Sequence, residues 1–245
     1  LEDKIGRDID FLETYGASEG FFSFQDARTD TSMLLHLDNG VFYEFVRLDE
    51  KGAESPRRHT IEDVEPGVRY SLYVTSSSGL WAYEVGDVIR FTETFPHKIT
   101  VAGRTSEMID EYGEALYGDE ARAALRHACD ETGAHVVDYH IAPRGLEGQK
   151  RPGHEWVIEF EDAPSSLDAF SERLAGSLRG ANPPSQRRRE AQGSDAPASP
   201  AVPDGAYYQW LKATKDDISG QTKVPRMSDS REIANGVLGI VTQEN

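Results

Sequence analysis

Apolar and polar residues alternate through the first part of the chain in a pattern that predicts short strands. Residues 41–46 read Val-Phe-Tyr-Glu-Phe-Val, an aromatic and β-branched run that suits a half-buried pleated surface. Further strands are predicted at residues 70–75, 80–85, 88–91 and 98–102, with turns at residues 76–79 and at Gly86-Asp87. Successive strands joined by tight turns form an antiparallel meander.

The pattern changes after the tripeptide Gly103-Arg104-Thr105, where helical spacing begins. Residues 113–131 are predicted to form a helix, and a second helix, capped by Ser165 or Ser166, is predicted to run through Leu178. Strands are predicted at residues 136–141, 155–160 and 207–212, and a short terminal helix is predicted after a cap at Ser228 or Asp229. The apolar faces of the two longer helices consist of Leu116, Ala121, Ala124, Leu125 and Ala128, and of Leu167, Phe170 and Leu174.

This order of elements predicts an α+β protein in two parts. Residues 1–103 form an antiparallel, β-rich part, and residues 104–245 form a small α+β domain, with a candidate hinge at position 103. Within the second part, residues 181–200 are rich in Pro, Ser, Ala and Arg, which predicts a loop or a flexible connector.

Acidic residues outnumber basic residues throughout the chain. The 245 residues include 43 Asp and Glu against 26 Lys and Arg, which gives a formal net charge of −17, and the surplus is shared almost equally between the two parts. A field of this sign repels nucleic acid and anionic membranes, which excludes them as expected partners. Because Arg also outnumbers Lys by 19 to 7, we hypothesise that the surface suits a high-salt cytoplasm, where screening weakens self-repulsion.

Targeting signals and cysteine usage favour a cytoplasmic protein. No apolar run approaches the roughly 18 residues of a membrane-spanning helix, and no signal-peptide pattern opens the sequence. The single cysteine, Cys129, excludes a disulfide framework and is predicted to be a small core residue. Since the sequence starts at Leu1 and motif-bearing residues follow almost at once, we expect it to be a fragment of a longer polypeptide.

Three segments carry residue types suited to sugar and phosphate chemistry. Residues 13–20 combine small residues, which allow close backbone approach, with the Ser18 hydroxyl and the hard Glu19 carboxylate, although a polar turn between strands is the simpler interpretation. Asp87 can accept hydrogen bonds from two vicinal hydroxyls, and Arg104 offers a fork of donors to phosphate or ribose oxygens. A plain Gly-Asp turn and a surface arginine are the simpler interpretations of these two residues.

A lysine on a glycine-led loop is the fourth candidate. Lys223 follows Ser219-Gly220-Gln221-Thr222 and precedes Pro225, so it can present a point charge to a developing phosphate anion. A solvated basic loop is the alternative interpretation. No P-loop motif occurs, and the seven His residues show no metal-ligand spacing.

Taken in order, these segments resemble the Gretchen Hagen 3 acyl-acid amido synthetases, the auxin-responsive branch of the adenylate-forming enzymes. The resemblance is carried by residues 14–22, 40–45, 79–88, 103–105 and 220–226 and covers nearly the whole chain. It implies that residues 1–103 are the C-terminal part of a large adenylation domain and that residues 104–245 are a mobile C-terminal domain. The family's phosphate-binding motif lies upstream of Leu1, and residues 181–200 depart from the family pattern.

The resemblance also implies an activity. A carboxylic acid attacks ATP at the α-phosphate to give an acyl-adenylate and pyrophosphate, and the amine of an amino acid then displaces AMP to form an amide. The implied cofactors are ATP and Mg²⁺. The implied nucleotide-binding residues are Tyr15, Gly16, Ala17, Ser18, Asp87 and Arg104. The resemblance implies that Tyr15 lies near the adenine and Asp87 at the ribose. It also implies that Glu19 is the metal ligand and that Lys223 stabilises charge at the α-phosphate.

Two other functions stay open at this point. One is a catalytically inactive remnant or binding module that keeps the small domain, and the other is thioester formation with coenzyme A, as in related ligases. Without the upstream phosphate-binding motif, we expect residues 1–245 to be inactive by themselves. The residues present indicate neither the acyl acid nor the amine.

Overall fold

The chain forms two structural units, Leu1–Thr105 and Ser106–Asn245. A computed structural model describes residues 5–7, 9–109, 116–144, 153–181, 197–215, 217–219 and 222–243. Helices and largely antiparallel strands both occur, so the predicted α+β class is confirmed. No helix in these ranges is both long enough and apolar enough to cross a membrane.

The first unit is built on one seven-stranded antiparallel sheet. Its strands follow the spatial order β1-β2-β3-β7-β6-β5-β4, so β4 to β7 form the predicted meander and β3 joins its β7 side. A 3₁₀ turn at Leu48–Glu50 follows the edge strand β4. The strands are β1 (Thr14–Ala17), β2 (Gly20–Phe24), β3 (Met33–Leu35), β4 (Val41–Arg47), β5 (Arg69–Ser76), β6 (Tyr83–Thr94) and β7 (His97–Arg104).

Aromatic residues from distant strands fill the core of this unit. The Phe45 ring lies 5.1 Å from the Phe91 ring and 6.1 Å from the Tyr70 ring, each in a tilted, edge-to-face arrangement that aromatic pairs prefer. The Phe22 ring of β2 lies 6.1 Å from the Tyr43 ring of β4, the strand at the far edge of the sheet. The sheet is therefore curled, which brings β2 and the edge strand β4 together around one apolar interior.

The predicted turn at Gly86-Asp87 is wrong. Both residues lie inside β6, which runs unbroken from Tyr83 to Thr94. Ser71 of β5 pairs with Val88 and Tyr73 pairs with Glu84, so the extra residues of β6 are absorbed in a bulge. Gly86 has a φ of 85°, a backbone conformation that glycine adopts without steric cost. The turn signal in the sequence thus marks a bulge, and residues 80–82 precede the strand.

The second unit packs helices against a small mixed sheet. Strand β10 pairs antiparallel with β11, β11 pairs parallel with β12, and β8 and β9 form a separate two-stranded ladder. The strands are β8 (Met108–Ile109), β9 (Leu116–Tyr117), β10 (His135–Arg144), β11 (Gly153–Asp162) and β12 (Ala201–Val202). The helices are α1 (Gly118–Thr132), α2 (Leu167–Ala181), α3 (Ala206–Thr214) and α4 (Glu232–Gln243).

The two longer helices form largely as predicted. Helix α1 begins at Gly118 rather than residue 113, because Leu116 and Tyr117 belong to β9, and residues 113–115 lie outside the described ranges. It ends at Thr132, and the next residue, Gly133, has a φ of 68° and donates a hydrogen bond from its amide to the Cys129 carbonyl. The Ser166 hydroxyl accepts a hydrogen bond from the Ala169 amide at 3.2 Å and caps α2.

The predicted apolar positions of α1 and α2 share one core, with one exception: Leu167, the first residue of α2, is 39% exposed. That core centres on Trp156, which is fully buried and stacks on Tyr139 at 6.0 Å between ring centroids. Cys129 packs at its half-buried margin, and burial raises the pKa of its thiol.

The strand predicted at residues 207–212 is instead part of helix α3. Tyr207 and Leu211, four residues apart, are both buried, and this spacing places them on one helical face. The buried Glu159 carboxylate accepts hydrogen bonds from the Gly205 amide at 2.9 Å and the Tyr207 amide at 3.1 Å. These bonds satisfy backbone amides at the start of the helix that have no partner within the helix itself. Glu159 lies some fifty residues before them along the chain.

Two further predictions in this unit need correction or fall outside the described residues. The terminal helix α4 begins at Glu232, and the Ser230 hydroxyl, rather than Ser228 or Asp229, accepts a hydrogen bond from the Glu232 amide at 3.4 Å. The predicted connector begins at residue 181, but Ala181 is the last residue of α2. Residues 182–196, which make up most of the connector, lie outside the described ranges. Its last part does contribute structure, because Ala198 bridges to Glu155 beside β12.

Candidate functional site

The first candidate segment folds as a tight hairpin. Ala17 of β1 pairs with Gly20 of β2, which leaves Ser18 and Glu19 as a two-residue turn. Gly16 and Ser18 are exposed and Ala17 is half-buried, so this end of the hairpin faces outward. Tyr15 points the other way: it is only 7% exposed, and its ring lies 5.2 Å from that of Phe22.

The Tyr15 side chain joins this hairpin to strand β6. Its hydroxyl donates a hydrogen bond to Oδ2 of Asp87 at 2.7 Å, between residues 72 positions apart. Asp87 is 8% exposed and lies at the bulge created around Gly86. Side chains of a regular strand alternate between the two faces of the sheet. A bulge interrupts that alternation and re-aims a side chain, and here the Asp87 carboxylate faces the hairpin.

Strand β7 contributes the third member of the cluster. Arg104 is the direct cross-strand partner of Asp87, and its Nε lies 3.5 Å from Oδ1 of that carboxylate. The Gly86 carbonyl accepts hydrogen bonds from the Thr105 amide at 2.9 Å and the Thr105 hydroxyl at 3.3 Å, which fixes the end of β7 beside the bulge. The structure thus brings together Tyr15, Asp87 and Arg104 from three separate segments.

The electrostatics of this cluster keep Tyr15 a hydrogen-bond donor. Burial, followed by the negative charge of Asp87 and the hydrogen bond to it, raises the pKa of Tyr15 well above its ordinary range. The Tyr15 hydroxyl therefore stays protonated. The Asp87 carboxylate has about four lone-pair positions, so it keeps acceptor capacity beyond these two contacts. The Arg104 side chain is 68% exposed, which leaves most of its guanidinium donors facing solvent.

Glu19 stands at the turn of the same hairpin. Its negative charge is among the causes that raise the pKa of Tyr15. Over the residues that the structure describes, no three His, Cys, Asp or Glu side chains gather in a group able to hold a metal ion. A Mg²⁺ ion at Glu19 would therefore take its other ligands from water and phosphate oxygens, which is how Mg²⁺ commonly binds with substrate phosphates.

The lysine segment belongs to the second unit. Lys223 is exposed, the following Val224 is only 5% exposed, and Gly220 and Gln221 lie outside the described residues. The Ile141 amide donates to the Arg226 carbonyl at 2.9 Å, and the Ser228 amide donates to the Ile141 carbonyl at 3.1 Å. The segment after Lys223 therefore lies along β10 in a short parallel bridge.

Side chains of β10 add further contacts to this segment. Asp138 forms an ion pair with Arg226, and burial, which outweighs the charge of Arg226, raises the pKa of that carboxyl. The Arg226 guanidinium also lies 4.9 Å from the Tyr139 ring centroid. The His140 Nδ1 atom lies 2.7 Å from the Pro225 carbonyl oxygen.

Sequence reasoning did not single out several of these residues. Thr105 belongs to the Gly-Arg-Thr tripeptide, but its contact with Gly86 has no signal of its own. Asp138 and His140 have the features of ordinary strand positions, and their partners lie more than eighty residues later. Such pairs become visible only when the two segments are placed side by side.

Two family models match the chain, in sequence order. That of the GH3 family central domain matches residues 34–104, and that of the GH3 family C-terminal domain matches residues 119–232. The first match contains Asp87 and Arg104, and the second contains Lys223. Together they account for most of the chain.

Known proteins that the chain resembles agree with these matches. The probable indole-3-acetic acid-amido synthetase GH3.6 of Oryza sativa subsp. japonica is 28% identical over 208 residues, which are 77% of this chain and 42% of that protein. The solved GH3.15 acyl acid amido synthetase superposes with a TM-score of 0.68 at 19% identity, over 93% of this chain and 42% of that chain.

A solved 2-hydroxyisobutyryl-CoA ligase in the postadenylation state superposes with a TM-score of 0.55 at 14% identity, over 99% of this chain and 47% of that chain. At these identities the structural likenesses show the fold alone. The chain spans less than half the length of each of the three proteins.

Proposed function

The chain belongs to the GH3 family, and on that premise we propose that it is the nucleotide-binding C-terminal portion of an ATP-dependent acyl-acid amido synthetase. In the proposed reaction a carboxylate oxygen of the acid attacks the α-phosphorus of ATP and pyrophosphate leaves. The amine of an amino acid then attacks the acyl carbon, AMP leaves, and an amide forms. The observation that carries this proposal is the meeting of Tyr15, Asp87 and Arg104 in one cluster.

The cluster supports binding of the ribose of ATP. A carboxylate with free lone pairs suits two vicinal hydroxyls, and the Tyr15 bond holds the Asp87 carboxylate in one orientation. Arg104 is exposed, so its free donors can reach ribose or phosphate oxygens. Because the Tyr15 ring is largely buried, we expect it to meet the adenine at its edge.

The hairpin turn and the lysine segment carry the remaining assignments. We assign the outward backbone of Gly16, Ala17 and Ser18 to contacts with nucleotide and acid, and the Glu19 carboxylate to Mg²⁺. Bound Mg²⁺ would neutralise charge on the phosphates. Lys223 would stabilise the negative charge that develops at the α-phosphate during adenylation, which a preorganised cation does effectively.

We further assign residues 1–103 to the adenylation domain and residues 104–245 to a mobile C-terminal domain. In this assignment, movement of the second domain brings Lys223 to the nucleotide for adenylation and removes it for amide formation. The exposure of Lys223 supports this, since an exposed side chain is free to reach a ligand held elsewhere.

The proposed role of Lys223 is tested by ATP–pyrophosphate exchange in the full-length natural protein, with indole-3-acetic acid and a panel of other carboxylic acids as substrates. We expect Lys223→Ala to lower the exchange rate by at least about 100-fold, because the transition state loses its cation. The melting temperature should not change, since the side chain is exposed.

Lys215→Ala is the matched control, because it removes another exposed lysine of the same unit. It should leave the exchange rate unchanged. Exchange by Lys223→Ala at the wild-type rate would contradict the assignment. Absence of exchange by the wild-type protein with every acid would favour the inactive-remnant alternative.

The acceptor is identified in a second step. The acyl-adenylate formed by the wild-type protein is supplied with amino acids or with coenzyme A, and products are detected by mass spectrometry. An amide product supports the amido synthetase proposal. A thioester product alone would instead assign the protein to coenzyme A ligation.

A further inference from the structure

The segment that carries Lys223 has a buried hydrogen bond from a residue with no assigned role. We propose that His140 is a positioning residue for Lys223, which it holds in place by donating a hydrogen bond to the Pro225 carbonyl. This inference rests on the proposed function, because it takes Lys223 as the residue that acts on the nucleotide.

The direction of the hydrogen bond is fixed by chemistry. The His140 Nδ1 atom and the Pro225 carbonyl oxygen are 2.7 Å apart, and a carbonyl oxygen can only accept. Nδ1 therefore carries the proton, and Nε2 of the neutral ring is unprotonated. Burial lowers the pKa of His140, which keeps the ring in this neutral form.

Pro225 is the point in the segment where such a bond is most useful. Proline has no backbone N–H, so its carbonyl is its only main-chain hydrogen-bonding group. The neighbouring backbone bonds, from Ile141 to Arg226 and from Ser228 to Ile141, begin one residue later. The His140 bond extends the attachment toward Lys223, to a carbonyl just two positions after it.

Burial of the Val224 side chain also holds the backbone between Lys223 and Pro225 in place. Val224 is 5% exposed and packs in the core formed with α3 and α4, whereas Lys223 beside it is exposed. With Val224 buried and Pro225 hydrogen-bonded, the backbone that follows Lys223 has little freedom. The Lys223 side chain can then move while the backbone that follows it stays in place.

Packing alone does not explain a histidine at this position. His140 is fully buried, and Nε2 has no hydrogen-bond partner within the described part of the chain. A buried acceptor without a partner disfavours folding, and a leucine of similar size would avoid that penalty. What the histidine provides, and a leucine would not, is the hydrogen bond from Nδ1 to the Pro225 carbonyl.

Hydrogen–deuterium exchange of the full chain tests the proposal with two variants. His140→Leu keeps an apolar side chain but removes the donor, whereas His140→Asn places an amide N–H near the position of Nδ1. We expect His140→Leu to speed exchange in residues 222–228 by about tenfold or more, and His140→Asn to stay within about threefold of wild type. Helix α1 should exchange at the wild-type rate in both variants.

A purely structural role predicts the opposite order, since leucine suits an apolar core better than asparagine. Equal exchange of residues 222–228 in His140→Leu and wild type would overturn the proposal, as would failure of asparagine to restore protection. If His140→Leu does not fold, ¹⁵N NMR of the wild-type imidazole decides: a proton on Nδ1 supports the proposal, and a proton on Nε2 overturns it.

ATP–pyrophosphate exchange separates this inference from the proposed function. We expect His140→Leu to lower turnover with little change in the KM for ATP, His140→Asn to restore it, and His140→Leu to have no further effect in a Lys223→Ala background. Normal activity of Lys223→Ala would defeat the role of Lys223 but not the hydrogen-bond assignment. An inactive Lys223→Ala beside a fully active His140→Leu would defeat the positioning role alone.

Discussion

Asp87 shows how a common residue pair becomes part of a site. In the sequence, Gly86-Asp87 has the features of a plain turn. In the structure the carboxylate lies at a bulge, where it accepts from the Tyr15 hydroxyl and pairs with Arg104. The glycine is informative in both interpretations, because its positive φ serves a bulge as readily as a turn. Only the neighbours on β1 and β7 decide between them.

The Tyr15 to Asp87 bond predicts a measurable loss of stability in Tyr15→Phe. The variant leaves the buried carboxylate without one charged hydrogen bond, so we expect the free energy of unfolding to fall by about 1–3 kcal/mol. Urea denaturation followed by circular dichroism measures this value. Tyr83→Phe, at a side chain that is 44% exposed, is the matched control and should change stability by less than about 0.5 kcal/mol. Equal stabilities of the two variants would show that the bond contributes nothing.

At the scale of elements, helix α3 illustrates where local pattern is insufficient. Tyr207, Tyr208 and Trp210 have high strand propensity, yet the segment is helical. Glu159 supplies the hydrogen bonds at its N-terminus, and Tyr207 donates from its hydroxyl to the Val157 carbonyl at 2.8 Å. These contacts from β11 outweigh a local preference worth only tenths of a kcal/mol per residue.

Helices α3 and α4 approach closely at one glycine. A β-carbon added to Gly236 would lie 2.5 Å from Nε1 and 2.9 Å from Cδ1 of Trp210, whereas one added to Gly239 would meet nothing within 4 Å. Both glycines lie in α4. The position of the Trp210 ring therefore depends on the missing side chain at Gly236.

We expect Gly236→Ala to destabilise the protein by about 1–3 kcal/mol, because the indole must move. Gly239→Ala is the matched control: alanine favours a helix over glycine by roughly 1 kcal/mol, so this variant should be stabilised. Thermal unfolding measures both shifts, and tryptophan fluorescence reports movement of the indole. A gain of stability in both variants would contradict the close packing of the two helices.

At the scale of the whole molecule, the negative charge is a property of both parts. The net charge of −17 is spread over the whole sequence and not concentrated in an acidic tail. Like charges at this density repel one another in the folded state, and dissolved salt screens that repulsion. The charge thus bears on stability and solubility, whereas the fold depends on the apolar cores of the two units.

This distribution predicts that the melting temperature rises with KCl concentration. The Debye length falls from about 10 Å at 0.1 M to about 3 Å at 1 M, so most repulsion between surface carboxylates is screened in that range. Scanning calorimetry in a KCl series measures the effect, and choline chloride at equal ionic strength should reproduce it if screening is the cause. Midpoints that do not change up to molar KCl would end the high-salt hypothesis.

The sequence by itself determined the α+β class, the six longest strands, the two longer helices and the residue types of the candidate site. Periodicity is a local property, and it reports which face of a strand or helix is apolar. The order and spacing of short motifs also carried the resemblance to the family that the comparisons confirm.

Only the tertiary structure decided which residues meet. The bonds from Tyr15 to Asp87, from Glu159 to the start of α3, and from His140 to Pro225 join residues separated by about fifty to ninety positions. Their partners are set by how the sheets curl and pair, and no pattern within one segment encodes that. Local periodicity therefore specified the elements, whereas burial and hydrogen bonding between distant elements assembled the site.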